Sequence, residues 1–284
     1  MSPRVAIVGH AEWVTHARGR MPAPGEITHL TDPLDEPGGG GGVAAVQAAA
    51  LGAQVRFLTA LGDDELGRRT AESIGAAGVG MEVAWRGTPH TRALSVTGDD
   101  GDRAIAVVGE RLHPEPGDAL DWDGLAGVDA VYFTGRDPGT LAACRRAPVL
   151  VVMARRWPVL AEAGVPCDVL VGSADDPGET PPYGALRPPP EVVVATQGKR
   201  GGWVRPAGEP PWRWDAGEPP GSPLDSYGCG DAFAAGLVVG LAAGWPLERA
   251  VALAARCGAS AVTARGGMAG VLRAASPDAA VPEG

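Results

Sequence analysis

Apolar and polar positions divide the chain into short hydrophobic runs and longer stretches of helical periodicity. Arg4 to Gly9 is a brief apolar run closed by glycine, the form of a buried first strand. A polar, irregular stretch follows, with Glu12, Trp13 and His16 ahead of Pro22, Pro24 and Gly25, and Ile27 to Leu30 reads as a short strand. Five glycines, Gly38 to Gly42, then open an alanine-rich helix over Val43–Leu51. Val55–Gly62 reads as a second strand and Asp64–Gly78 as an amphipathic helix closed by glycine. Val83–Arg86, Arg92–Thr97 and Arg103–Val108 alternate like strands, the last two flanking the hairpin signal Gly98-Asp-Asp-Gly101. Strands gathered between helices in this way predict a small sheet standing off the main body.

From about Asp129 the pattern becomes strand, helix, strand. Val131–Gly135, a helix near Pro138–Arg146 and Val149–Met153 lead to short strands at Asp168–Val171 and Val192–Thr196. That alternation predicts an α/β fold with a mostly parallel sheet, helices on both faces and ligands at the C-terminal strand ends. Pro177–Pro190 and Pro206–Pro223 are proline-rich loops, in which Trp212 and Trp214 have the spacing of an edge strand. Helices over Ala232–Gly244 and Pro246–Thr263 precede a tail, Ala274–Gly284, whose composition predicts disorder.

Composition narrows the function classes. With 284 residues, 45% apolar and 20% charged, the chain is long enough for a sizeable core and reads as soluble. A net charge of −10, with Lys199 as the lone lysine, argues against nucleic-acid binding, which needs a clustered basic patch. Cys144, Cys167, Cys229 and Cys257 lack Cys-x-x-Cys spacing, so neither a zinc site nor a disulfide framework is indicated. There is no secretory signal pattern and no apolar run of membrane-spanning length, so no membrane partner and a cytoplasmic location are expected.

The chemistry concentrates in Pro223–Phe233, Pro-Leu-Asp-Ser-Tyr-Gly-Cys-Gly-Asp-Ala-Phe. Gly228, Cys229 and Gly230 fall where the helix begins, and unpaired backbone N–H groups and the helix dipole there favour an anion. Asp231, on the first turn, stands beside any phosphate so held. An acid next to an anion hole suits phosphoryl transfer, the hole stabilising the moving group while the carboxylate orients and deprotonates a hydroxyl. The plainer reading is a tight turn with an aspartate that suits the dipole. A second glycine stretch contains Gly-x-Gly-x-x-Ala (Gly40, Gly42, Ala45), with Asp63 and Asp64 about twenty residues on, as in a dinucleotide fingerprint. Asp-Pro-Leu-Asp-Glu-Pro ahead of it is no buried strand, which disfavours a nicotinamide cofactor.

Asp225-Ser-Tyr-Gly-Cys-Gly-Asp231-Ala-Phe233 resembles the C-terminal signature of the ribokinase/PfkB family of carbohydrate and nucleoside kinases, Asp-Thr-x-Gly-Ala-Gly-Asp-x-Phe. It departs at Ser226 and Cys229. The resemblance implies a ribokinase-like three-layer αβα domain over residues 1–284, with a β-sheet lid formed by about 10–36 and 83–110. It further implies ATP and Mg2+ as cofactors, Asp231 as catalytic base, Gly228, Cys229 and Gly230 as anion hole, and Asp225 near a site for K+. Leu61-Gly-Asp-Asp-Glu-Leu-Gly67 is similar to the family's Gly-x-Asp-x-x-Gly segment. Thr196-Gln-Gly198-Lys-Arg-Gly201 is similar to its Thr-x-Gly-x-x-Gly loop at the nucleotide phosphates, although the residues alone describe a glycine turn. Gly172-Ser-Ala-Asp-Asp176 stands where the family has Asn-x-x-Glu, which organises magnesium through water. Ser173 with Asp176, or Gly172 with Asp175, are the nearest equivalents. Cys257, Ala259 and Ala261 are small enough to admit adenine, and buried helix packing explains that face equally well.

The acceptor side departs most. Gly38 and Gly39 match the family's sugar-lining Gly-Gly loop, but Val43 replaces its asparagine, Val14 replaces its sugar-binding aspartate, and Glu12 replaces a neighbouring asparagine. Gly109-Glu-Arg111 stands for Gly-Ala-Asn. Neither valine hydrogen-bonds a hydroxyl through its side chain, so Glu12 and Arg111 are the polar candidates for a differently polar small-molecule substrate. The leading expectation is an ATP-dependent kinase of a small sugar, nucleoside or polyol, with a homodimer through the lid as an implied assembly. The alternative is a catalytically weak or silent family member that binds a ligand and regulates. The intact Asp231 and anion hole oppose that alternative.

Overall fold

In the computed structural model, residues 2–98, 103–182 and 184–274 are described. Chain order runs β1 (Arg4–Val8), β2 (Glu12–Arg18), β3 (Thr31–Gly38), α1 (Gly40–Ala50), β4 (Gln54–Gly62), α2 (Glu65–Ala76), β5 (Gly80–Arg86), β6 (Arg92–Thr97) and β7 (Arg103–Val108). It continues through β8 (Ala130–Phe133), α3 (Pro138–Cys144), β9 (Val149–Met153), α4 (Trp157–Ala163), β10 (Val169–Ser173), β11 (Val192–Thr196), β12 (Gly202–Pro206), β13 (Trp212–Trp214), α5 (Cys229–Ala242) and α6 (Leu247–Ala261).

The main sheet has nine strands in the order β13-β12-β11-β10-β9-β8-β1-β4-β5. From β11 to β5 every pairing is parallel, and β12 and β13 add an antiparallel edge. The parallel strands are apolar on both faces because both are covered. One face packs Val5, Ile7 and Phe57 under α1, α5 and α6, and the other packs Val8, Val131 and Leu150 under α3 and α4. This is the three-layer α/β architecture. A second sheet of four strands, β3-β2-β6-β7, stands apart from it.

Several elements differ from the sequence expectation. Glu12–Arg18 is a strand, stabilised by tertiary burial: Trp13 lies under the Arg69 guanidinium of α2, 4.5 Å away. Ile27–Leu30 is not a strand, and Ile27 is exposed. The strand follows at Thr31, where Pro33 and Pro37 are tolerated because β3 is an edge. Val83–Arg86 belongs to β5, which extends the main sheet beside β4 and takes no part in the small one. The helix expected from Val43 begins at Gly40, inside the glycine run, because those glycines are packed and buried; a Cβ at Gly41 would sit 2.8 Å from the Phe57 ring. That helix follows a strand of the small sheet, so the glycine run lies outside any βαβ unit and the dinucleotide reading fails. The turn between β6 and β7 expected at Gly98–Gly101 lies largely outside the described residues, as does the tail beyond Ala274. Ala274 itself is tied down, its N–H bonding the Ala50 carbonyl at 3.0 Å. Among the described residues no helix is long and apolar enough to cross a membrane.

Candidate active site

The site is built on the N-terminus of α5. Asp225 is buried and fixes the approach: its carboxylate accepts from the N–H groups of Tyr227 (2.9 Å) and Gly266 (3.0 Å). Gly228 then takes φ 72°, a left-handed turn that glycine adopts freely. A side chain there would also crowd Val43, 3.0 Å from an ideal Cβ. The first full helical bond is Ala232 N–H to Gly228 O at 2.8 Å. That leaves the N–H groups of Gly230 and Asp231 with no partner among the described residues, and the space beside Gly230 is open. Partly positive donors facing an open cleft form an anion-binding concavity.

Asp231 projects from this turn against the start of α1. A Cβ at Gly40 would meet Asp231 Oδ1 at 2.9 Å and Thr134 Oγ1 at 3.3 Å. Oδ1 is buried and accepts no hydrogen bond among the described residues. Burial pushes this carboxyl up to about 7, Glu179 and Glu12 adding to the shift while Arg103 and Arg156 oppose it. An acid poised near neutrality and free of partners suits reversible proton uptake.

The neighbouring wall is divided between apolar and basic parts. Val14, Val43, Ala93 and Tyr227 form a buried cluster with Met268 against it, and the Tyr227 hydroxyl accepts from Gly39 N–H at 3.0 Å. The two valines and the Gly38–Gly39 loop therefore meet at Tyr227, to which the sequence motif assigns no role. Glu12 is buried, with Oε2 3.5 Å from Arg111 Nε, and its carboxyl is raised by burial against the pull of Arg111. Arg103 crosses from β7 to donate to Ser226 Oγ at 2.8 Å, with its guanidinium 5.9 Å from the Tyr227 ring centre. Thr134, Arg136 and Arg156 line the ends of β8 and β9, and Arg156 Nε donates to Thr134 O at 3.2 Å. No local motif announces these residues. Their signal is position, just past the C-terminal ends of central parallel strands.

At the other end, Ser173 and Thr196 are register partners at the tips of β10 and β11, and Thr196 Oγ1 donates to Gly172 O at 3.4 Å. Gly198 and Gly201 have φ 53° and 75° in the turn that follows, which Arg200 ties to Asp175 at 2.8 Å. Asp176 caps the short turn Pro177–Glu179 through Gly178 N–H and pairs with Arg155, so its carboxylate is engaged. Glu179 is the acid of that loop with electrostatic reach to Asp231; it accepts from Ser173 N–H at 2.7 Å and lies 3.2 Å from Arg155. Cys257 and Ala261 do not line an opening. They pack with Ala232 in the interface between α5 and α6, and Cys257 Sγ lies 2.8 Å from an ideal Cβ on Gly236. Four-residue spacing turns both onto the buried face of α6, which leaves them no surface for a base.

Comparison with known proteins agrees with this fold. The family described as pfkB family carbohydrate kinase matches residues 3–162 and 185–274. The ATP-dependent ribose-1-phosphate kinase of Halopiger xanaduensis is 31% identical over 285 residues, covering 90% of each chain. The ribokinase of Bacillus subtilis is 28% identical over 276 residues, covering 89% of this chain and 90% of that one. In structure, Arabidopsis thaliana ribokinase complexed with ribose and ATP superimposes with a TM-score of 0.77 at 19% identity, covering 96% of this chain and 97% of that one. With its fold, cleft and sequence in accord, the chain belongs to the pfkB family of carbohydrate kinases. It is an ATP-dependent kinase acting on a carbohydrate.

Proposed function

We propose that the protein transfers the γ-phosphoryl group of ATP to a hydroxyl of a small sugar, nucleoside or related polyol bound between the Gly38–Gly39 loop, Glu12, Arg111 and Asp231. The observation that carries this reading is Asp231 Oδ1, buried without a partner beside the unpaired donors of the α5 N-terminus. Asp231 takes the acceptor proton as the hydroxyl oxygen bonds to Pγ. The bond from Pγ to the bridging oxygen breaks, and ADP leaves. Of the expected Gly228–Gly230 hole, Cys229 N–H is spent on Ser226 O at 3.4 Å, so the unpaired N–H groups of Gly230 and Asp231 face the charge that builds on the transferring group. Thr196, Gly198, Gly201 and Ser173 hold the nucleotide phosphates.

Magnesium fits this donor set through few protein ligands. No group of three or more metal-ligating side chains occurs among the described residues, and magnesium at a nucleotide commonly sits on water, phosphate and one or two carboxylates. Asp176 and Glu179 both pair with Arg155, and Glu179, the one with electrostatic reach to Asp231, is the carboxylate that would hold it through water. When bound, the ion neutralises charge on the β- and γ-phosphates. The small sheet serves as the lid over the acceptor. Its edge strand β7 exposes Ile105 and Val107 on one face, which suits a second copy of the chain.

The test is ADP release with ATP, magnesium and potassium over a panel of sugars, sugar phosphates, nucleosides and polyols, with Asp231→Asn alongside. Turnover on one compound that is lost in the variant supports the reading. The apolar Val14–Val43–Tyr227 cluster favours a second reading, a ligand-binding member with little catalysis. Ligand binding without ADP release on any compound would establish it.

A further inference from the structure

Past the C-terminal ends of three adjacent strands, β1, β8 and β9, the chain places His10, Arg136 and Arg156, each within three residues of its strand. Arg111 and His113 reach the same place from the connection after β7, His113 with its ring centre 5.1 Å from that of His10. Among the described residues neither Arg136 nor Arg156 has a carboxylate within salt-bridge distance, and Arg156 has a single hydrogen bond, to the Thr134 carbonyl. His10 is 6% exposed and His113 9%. Yet His10 Nδ1, both ring nitrogens of His113 and Arg111 Nε are buried with no partner among the described residues.

Two imidazoles and three arginines thus converge with polar atoms unspent, and Glu12 offsets only Arg111. Burial and the nearby arginines keep both histidines neutral, His113 down at about 3, and the same crowding lowers Arg156 to about 10. Like charges gathered in a half-buried place, two of them with no carboxylate within salt-bridge distance, are costly. A neutral sugar leaves that cost standing. A phosphate monoester carries nearly two negative charges at neutral pH and offers oxygens that match the arginine fork. The place also adjoins the reacting centre, since Thr134, which anchors Arg156, shares the space over Gly40 with Asp231.

We propose that the acceptor already carries a phosphate monoester, which Arg136 and Arg156 hold, with Arg111 at the rim, while a free hydroxyl of the same sugar faces Asp231. This rests on the phosphoryl-transfer reading above and narrows it to sugar phosphates. The same arginines match one other phosphate, the γ-phosphate of ATP, and the test separates the two.

ADP release is measured on matched pairs: ribose against ribose 1-phosphate and ribose 5-phosphate, and fructose against fructose 6-phosphate. One ester is expected to exceed its neutral sugar in kcat/KM by about 100-fold or more, as for a site whose charged groups go unpaired without the substrate group. Arg136 is exposed, so Arg136→Ala keeps the fold, checked by circular dichroism; it should raise KM for the ester roughly 10-fold and leave KM for ATP in place. Calorimetric titration of the same compounds into the protein without ATP gives a reading independent of turnover, with the ester binding and Arg136→Ala weakening it. A neutral sugar turned over as well as its ester, with Asp231→Asn inactive, overturns this inference and leaves the kinase standing. A rise in KM for ATP alone in Arg136→Ala overturns it in favour of the γ-phosphate. Ester binding weakened by Arg136→Ala, with no turnover on any compound, keeps the anion site and overturns the transfer reading. Absence of both binding and turnover overturns both.

Discussion

At the start of α5 the cleft is lined by backbone: glycines, free N–H groups and one carboxylate, with open space beside Gly230. At the ends of β1, β8 and β9 and along the small sheet it is lined by side chains, among them Val14, Val43 and Tyr227 in an apolar cluster and the arginines and histidines beyond. A phosphoryl group presents the same charge to every kinase, so fixed amide dipoles and one acid suffice for it. The acceptor is recognised by its own shape and charge, and only side chains carry that discrimination. On the proposed function, chemistry belongs to the first region and selectivity to the second.

The largest test of that division is Asp231→Asn. Loss of the base should lower kcat by roughly 10³-fold while acceptor KM changes little, read by steady-state ADP release. An equal rise in KM would mean that Asp231 belongs to the recognition side as well. The wild-type kcat/KM should fall on the acid side with a midpoint near pH 7, since burial raises this carboxyl to about 7 and only the ionised form accepts a proton.

Next in size is Val14→Asp. A carboxylate placed among Val43, Ala93 and Tyr227 has no cationic partner there and one donor at most, the Tyr227 hydroxyl, so the variant should lose about 3 kcal/mol in denaturant unfolding and gain no activity on free sugars. A gain on free ribose would dissolve the contrast, because one side chain would then have restored a neutral-sugar site.

Asp231→Asn carries a further effect on stability. The folded protein holds the Asp231 proton more tightly than the unfolded chain, whose carboxyl has an ordinary value of 3.8. For this group, stability is full below that value and is lost as pH rises through about 7. The variant should therefore unfold later than wild type by about 2 kcal/mol at pH 8, after allowance for partial solvent access, and show no such advantage at pH 4. Smallest is Tyr227→Phe, which removes the acceptor for Gly39 N–H and should cost about 1 kcal/mol with a few-fold change in acceptor KM.

The same contrast explains what was legible in the sequence. The parallel sheet was readable because buried strands are continuous apolar runs, and α5 because a Gly-x-Gly-Asp turn and an apolar helix occupy one contiguous stretch. Glu12–Arg18 was not, because its strand is stabilised by contacts with α2 and with β6, whose residues lie some eighty positions on. Likewise Glu179 stands three residues beyond the loop that draws attention to Asp176, and only the turn Pro177–Glu179 shows that both acids meet Arg155 while Glu179 has reach to Asp231. Cys257 and Ala261 were small and suitably spaced for a nucleotide. The same smallness and spacing let α6 approach α5 closely, and sequence alone does not tell the two uses apart. Arg136 and Arg156 come from separate loops and share no spacing at all.

Between the end of β3 at Gly38 and the start of α1 at Gly40 there is a single residue, Gly39, with φ 82° and its N–H on Tyr227. The small sheet and the helix that abuts Asp231 are thus joined as crank and shaft, with Gly39 the bearing. Were the small sheet to rotate, the motion would be delivered to the α1 N-terminus, and so to the space over Asp231, with no slack loop to absorb it.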